Sequence, residues 1–333
     1  MLINQASTEF VVGYFSTHNL SAKTKAAYCS DLAQFRAFIG EGAGLLSLGA
    51  TDVENWAAHL RKEGYSPASL RRKIVTLRVF CSYWVRKGTL SESPFWRVKL
   101  SFGRIEQLPR ALTSGEMSAL LSQARKTYSI NLRQNPDAAA EACNERSSFG
   151  RYSAVRNLAL LDLLFATGMR VGEASALDVG DFLLEEAVFR VQGKGGRDRI
   201  ACVVDDETIR IQRAHLEARM RFHKSSAALF LNMSGGRLST QGIANVIARF
   251  RKEAGIERHI TPHMLRHTVA TLLLRNGADI RVVQEFLGHT SIVTTQRYTH
   301  ITKEHLIGVL RKCHPSMGFR AEQLLNSKIE IPK

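Results

Sequence analysis

The segment Thr261-Pro262-His263-Met264-Leu265-Arg266-His267 sets a histidine and an arginine three residues apart just after a helix-starting signal. Thr261 can cap a helix and Pro262 suits its first turn. His263 and Arg266 then share a face near a helix N-terminus, where unpaired N–H groups and a positive dipole make a phosphate a natural guest. Further on, Leu287-Gly288-His289 reads as a helix C-terminus with glycine in the left-handed position. A new helix from near Ser291 carries Tyr298 about two turns in. Upstream, Arg170 sits just beyond a helix break at Thr167-Gly168, and Lys194 rides on the glycine-rich turn Gly193-Lys194-Gly195-Gly196.

These residue types suit attack on a phosphodiester, whose negative oxygens gain charge as phosphorus becomes pentacoordinate. Arg170 and Arg266 can each offer planar, bidentate donors and His289 a further one, in the place a metal ion would take. Tyr298, with a reference pKa of about 10, must lose its proton to attack. The 5′-oxygen leaves poorly unless protonated, and Lys194 could deliver that proton if neighbouring cations lower its pKa.

Each residue alone has a blander reading, a surface charge for an arginine and half-buried packing for a tyrosine. His263 and His267, four apart, also raise zinc, but the Glu of a His-Glu-x-x-His pattern is missing and no cysteine cluster adds ligands. No metal or other cofactor is therefore expected. His267 reads as a structural hydrogen-bonding residue. Glu173, one turn after Arg170, reads as a group that orients its neighbours, since a carboxylate beside the phosphate would repel it.

The elements that must position these groups are mostly helical. In Ala26 to Ile39, the residues Tyr28, Leu32, Phe35 and Ile39 form one apolar stripe. Ser66-Pro67 opens a helix in which Leu70, Ile74, Leu77, Cys81 and Trp84 pack while Arg71, Arg72, Lys73 and Arg78 lie largely off the stripe. These four, with Arg197 and Arg249, are the candidate DNA-binding residues. Thr113 and Glu116 make a capping-box pattern. Between roughly 127 and 152 the chain is polar without clear periodicity, which reads as a long loop. From Tyr152 a helix runs through Leu158, Leu161 and Leu164. Val188 to Gln192 and Ile200 to Val204 read as two strands of a hairpin with Lys194 at its tip. A helix from about Thr240 turns Ile243, Val246, Ile247 and Phe250 inward.

With 333 residues the chain is long enough for two cores. Its 46 Lys and Arg against 30 Asp and Glu give a formal charge of +16, which favours a polyanionic partner, nucleic acid ahead of an anionic membrane surface. No apolar run approaches the roughly 20 residues that span a bilayer. The opening Met1-Leu2-Ile3-Asn4-Gln5 lacks a signal-peptide pattern, so a cytoplasmic protein is expected. The five cysteines (Cys29, Cys81, Cys143, Cys202, Cys313) are scattered and read as reduced, structural thiols.

Four pieces stand in a telling order: Ala166-Thr167-Gly168-Met169-Arg170-Val171-Gly172-Glu173, then Gly193-Lys194-Gly195, then His263-Met264-Leu265-Arg266-His267-Thr268, then Leu287-Gly288-His289 with Tyr298 nine residues on. In this order and spacing the chain resembles the tyrosine recombinase and phage integrase family, particularly its Xer-like branch, over about 20 to 315. The polar stretch before Tyr152 exceeds the family minimum, and the tail after Pro315 follows no readable pattern.

The resemblance implies a fold that is mainly α with a small antiparallel β-sheet, its two domains closing as a C-shaped clamp on duplex DNA. Residues 1–104 would form a helical core-binding domain, 105–111 a linker, 112–312 the catalytic domain and 313–333 a tail able to pack on a neighbouring protomer. It implies catalytic roles for Arg170, Lys194, His263, Arg266, His289 and Tyr298, with Tyr298 as nucleophile and His263 as its base. The implied reaction makes a 3′-phosphotyrosyl link and a free 5′-hydroxyl, and exchanges strands through a four-way (Holliday) junction. A homotetramer would act on two double-stranded DNA sites, each with inverted half-sites. The rivals are a type IB topoisomerase, which swivels one duplex, and a non-catalytic DNA-binding protein on the same fold.

Overall fold

The computed structural model describes residues 1–40, 42–102, 111–134, 145–193, 198–222, 225–288 and 303–316. The chain divides into two compact units, Met1–Leu108 and Pro109–Lys333. Of the expected linker at 105–111 only Ala111 is described, and its carbonyl accepts from Arg258 Nη2 at 2.8 Å within the second unit. Of the expected tail, residues 317–333 lie outside the described residues.

The first unit is all helical: α1 (Ile3–Thr17), α2 (Ala22–Ile39), α3 (Ala50–Lys62) and α4 (Pro67–Arg86). Ser21 starts α2 earlier than its apolar stripe suggests, because its Oγ accepts from Thr24 N at 3.1 Å. Leu32 and Phe35 are buried, and Tyr28 and Ile39 pack half-buried on the same core. In α4 the Ser66 hydroxyl accepts from Ser69 N at 3.3 Å, Pro67 takes the first turn, and Leu70, Ile74, Leu77, Cys81 and Trp84 are all buried. Burial pushes the Cys81 thiol up to about 12, so it is a packing residue and not a reactive one.

Lys73 departs from the basic outer face expected of α4. It is only 3% exposed, with Nζ 3.1 Å from Asp31 Oδ1 and 2.5 Å from Gln34 Oε1. Asp31 also accepts from Thr76 Oγ1 at 2.9 Å and from Arg72 Nη1 at 2.5 Å. A buried carboxylate needs a compensating charge, and a lysine beside the apolar stripe supplies it by turning inward.

The second unit holds α5 (Ser114–Gln134), α6 (Glu145–Thr167), α7 (Val171–Ala176), a 3-10 turn, and a three-stranded antiparallel sheet of β1 (Phe182–Leu183), β2 (Val188–Gln192) and β3 (Asp198–Cys202). There follow α8 (Asp206–Arg221), α9 (Thr240–Glu253), α10 (Pro262–Arg275), α11 (Ile280–Leu287) and α12 (Lys303–Cys313). The molecule is thus mainly α with a small antiparallel sheet. Every residue from Arg156 to Met169 is buried, which makes α6 the central helix of this unit, packed by α5, α8 and α10. The Thr113–Glu116 box closes α5: Glu116 N donates to Thr113 Oγ1 at 3.1 Å and Thr113 N to Glu116 Oε2 at 2.7 Å. Arg258 beside it, donating to both carboxylate oxygens at 2.6 Å, holds the Glu116 carboxyl at about 2.

Two expectations need correction. The stretch 127–152 is not one long loop, since α5 continues to Gln134 and α6 begins at Glu145, leaving only 135–144 undescribed. Polar residues here hide helical contacts: Tyr128 packs half-buried on the main core, and the Tyr152 ring stacks on Phe222 with centroids 4.8 Å apart. The return strand runs Asp198–Cys202, not Ile200 to Val204, because pairing sets its limits, with Asp198 opposite Gln192 and Cys202 opposite Val188. The short β1, pairing Phe182 with Phe189, has no counterpart in the sequence reading.

His215 on α8 is fully buried between Phe230, whose ring stacks on it at 4.9 Å, and Tyr152, whose hydroxyl lies 3.5 Å from Nε2. Its Nδ1 has no hydrogen-bond partner among the described residues. Burial, helped by Arg156 and Arg219, holds it down at about 3. Between 6.5 and about 3 the unfolded chain therefore binds a proton that the folded chain refuses, so stability falls as pH falls through that window. His215→Phe keeps the ring stack and removes the proton site. The loss of unfolding free energy of the second unit between about pH 7 and 5, measured in urea, is expected to shrink by about 2 kcal/mol. An unchanged pH dependence would mean that His215 does not stay neutral.

Candidate active site

Thr261 opens α10 with its Oγ1 3.4 Å from Met264 N, and Pro262 follows in the first turn. Leu265, Thr268, Val269, Leu272 and Leu273 bury one side of the helix, which fixes its rotation. His263 and His267 thereby come to the surface, and both line an open cleft of about 500 Å³ together with Thr261, Met264, Arg266 and Leu287. His263 and Arg266 do share one recess, as their spacing implied. The His267 side chain is exposed and bonds to none of the described residues.

Arg266 is the structural knot of the site. It is only 7% exposed, and its guanidinium donates to Gly168 O at 2.7 Å and to Leu287 O at 2.6 Å. One side chain thus joins the C-terminal ends of α6 and α11 to the start of α10, satisfying carbonyls that a helix end leaves unpaired. Both helix ends are glycine-dependent. Gly168 has φ +57°, and a Cβ there would stand 2.6 Å from Leu287 Cδ2. Gly288 has φ +66° and caps α11 in the left-handed conformation, as expected. Burial, and then the nearby Arg170, lower Arg266 to about 10, so it stays charged at neutral pH but in a field that welcomes an anion.

Arg170 precedes α7 and is tied to it: its backbone N donates to Glu173 Oε2 at 2.8 Å and its Nη1 to Glu173 Oε1 at 2.7 Å. The side chain remains 39% exposed, and Nη2 lies 3.4 Å from Gly288 O. Glu173 is paired with both Arg170 and Arg199. Burial alone would raise its pKa, but the Arg170 N–H and the Arg199 and Arg170 guanidiniums hold it below the usual carboxylate range.

Arg199 is the residue that the sequence reading missed. It stands on β3 opposite Val191, only 14% exposed at the side chain, with Nη2 2.9 Å from Glu173 Oε2 and Nη1 3.1 Å from Phe286 O. The signal was an arginine directly before the apolar run Ile200-Ala201-Cys202 of the return strand.

Lys194, Arg197, His289 and Tyr298 lie outside the described residues. Of the other DNA-binding candidates, Arg71 and Arg78 are exposed on α4 with their guanidiniums over Phe102 at 5.3 Å and Phe95 at 5.1 Å. Arg72 is exposed but paired with Asp31. Arg249 on α9 lies over Phe250 at 4.7 Å and 3.5 Å from Glu253. Among the described residues no three His, Cys, Asp or Glu side chains converge to hold a metal, and no helix is long and apolar enough to cross a membrane.

Both units of the chain resemble known proteins. Residues 135–305 match the phage integrase family and residues 8–88 the N-terminal SAM-like domain of phage integrases. Tyrosine recombinase XerC of Listeria innocua serovar 6a is 33% identical over 316 residues, covering 93% of this chain and 98% of that protein. Tyrosine recombinase XerD of the same organism is 34% identical over 319 residues, covering 94% and 99%. A lambda integrase tetramer bound to a Holliday junction shares the fold with a TM-score of 0.65 at 16% identity, covering 90% of this chain and 80% of that one. Near-complete alignment to Xer proteins, over both units, shows that this chain belongs to the phage integrase family as an Xer-like tyrosine recombinase, an enzyme of site-specific DNA recombination.

Proposed function

We propose that the chain cuts one strand of a DNA site with Tyr298, holds the 3′ end as a phosphotyrosyl ester, releases a 5′-hydroxyl, and rejoins it to a partner strand through a four-way junction. The observation that carries this reading is the grouping at one cleft: the largely buried Arg266 and the exposed His263 line it, and Arg170 stands close enough to Arg266 to lower its pKa. Such fixed donors stabilise the charge of a pentacoordinate phosphate without reorganising at the moment of reaction. In this scheme His263 takes the proton of Tyr298, His289 adds a donor, and Lys194 protonates the departing 5′-oxygen.

Four protomers would act on two duplex sites with inverted half-sites, in line with the tetrameric state of the lambda integrase on its junction. Arg71, Arg78, Arg197 and Arg249 would contact phosphates, and the protein would work in the cytoplasm. Junction formation is the deciding experiment. A duplex selected by the full chain from a randomised pool, supplied as two labelled copies, is expected to yield four-way junctions and exchanged products. Relaxation of a supercoiled plasmid carrying the site, with no junctions, would point to the topoisomerase reading instead.

A further inference from the structure

Arg199 lies in the site but belongs to none of the groups so far given a role in the reaction. Its guanidinium bridges Glu173 Oε2 at 2.9 Å and the Phe286 carbonyl at 3.1 Å. Its stem is pressed against the left-handed turn of Gly288, where an added Cβ would stand 2.5 Å from Arg199 Cδ. The strand that follows the Lys194 turn is thus bolted to the helix end that precedes His289.

The electrostatics give this bridge a second consequence. Glu173 is one carboxylate facing two guanidiniums, Oε1 taking Arg170 Nη1 and Oε2 taking Arg199 Nη2. Without Arg199 the whole carboxylate charge would fall on Arg170, and a bidentate pair would turn the Arg170 fork inward. With Arg199 present, three arginines (Arg170, Arg199, Arg266) stand about a single carboxylate, which leaves a surplus of positive charge.

We propose that Arg199 is a positioning residue for strand cleavage: it serves as counter-ion to Glu173 and pins the turn at Gly288, so that Arg170 keeps a free positive edge for the phosphate. The proposal rests on the reading of Tyr298 and the arginines as the cleavage machinery. It concerns a residue acting through others, so its effect should appear in the cleavage step and not in affinity for the DNA site.

Arg199→Met keeps the aliphatic stem that fills the space at Gly288 and removes the charge. Single-turnover cleavage of a nicked duplex carrying the selected site is expected to slow by about tenfold or more, with affinity for the intact duplex changed by less than about threefold. Adding Glu173→Gln to Arg199→Met removes the uncompensated carboxylate and is expected to speed cleavage by about threefold or more over Arg199→Met alone. A residue that only filled space would gain nothing from that second change. Cleavage by Arg199→Met at the wild-type rate, or a double variant no faster than Arg199→Met, overturns the proposal. Should Arg199→Met fail to fold, Arg199→Lys decides alone. With charge kept beside Glu173, cleavage stays within about fivefold of wild type, and a larger loss overturns the proposal. Wild-type protein that forms no adduct on the same duplex would instead count against the Tyr298 assignment.

Discussion

Tyr298→Phe is expected to abolish the covalent protein–DNA adduct, lowering its rate of formation by at least roughly 10⁴-fold, while leaving affinity for the site nearly intact. Only the phenolic oxygen is lost, and no other tyrosine stands in the nine residues after the Leu287-Gly288-His289 box. The measurement uses a nicked duplex site, from which a short 5′-hydroxyl fragment diffuses away and prevents the reverse attack. The wild-type adduct should survive denaturant and form in EDTA, because the charge on phosphorus is met by protein donors, with Arg266 and Arg170 already held by their own hydrogen bonds. Peptide mapping of the trapped species decides the matter. Linkage to another tyrosine, attachment at the 5′ end, or a strict metal requirement would each sink the mechanism.

How far the sequence reveals this site depends on how far apart the interacting residues lie. Caps are encoded by neighbours, so Ser66-Pro67, the Thr113–Glu116 box, Thr261-Pro262 and the left-handed Gly288 were all legible and all occur. The inward face of α9 was legible for the same reason, since Ile243, Val246, Ile247 and Phe250 repeat at helical spacing. Charges are different, because the partner decides whether a cation faces water. Lys73 and its buried partner Asp31 are 42 residues apart, and Arg199 and Glu173 are 26 apart, so neither pair leaves a local mark. The chain from 127 to 152 misled for a related reason: its helices are held by long-range contacts such as Leu231 N–H donating to the Tyr152 hydroxyl oxygen at 2.9 Å, which periodicity does not register. Arg266 was recognised as a phosphate donor, yet its burial and its grip on Gly168 and Leu287 could be found only in three dimensions.

That grip shapes the second large effect, expected of Arg266→Ala. Two losses combine here. The phosphate loses a fixed donor, which for a single preorganised donor typically costs about 10²- to 10³-fold in rate. The α6 and α11 ends also lose the group that joins them, so the Gly288 turn keeps only its contacts with Arg170 and Arg199. Cleavage is therefore expected to fall by at least about 10³-fold, equivalent to about 4 kcal/mol of transition-state stabilisation. Folding should suffer less than the two lost hydrogen bonds suggest, since burial and Arg170 already disfavour this cation. Arg266→Lys should not rescue cleavage, because one ammonium cannot span both carbonyls and still present a planar edge to the phosphate. The check is single-turnover adduct formation, with site affinity and thermal unfolding measured on the same preparations. A loss of cleavage below about tenfold in Arg266→Ala, or lysine restoring the wild-type rate, would show that the buried guanidinium serves the fold alone.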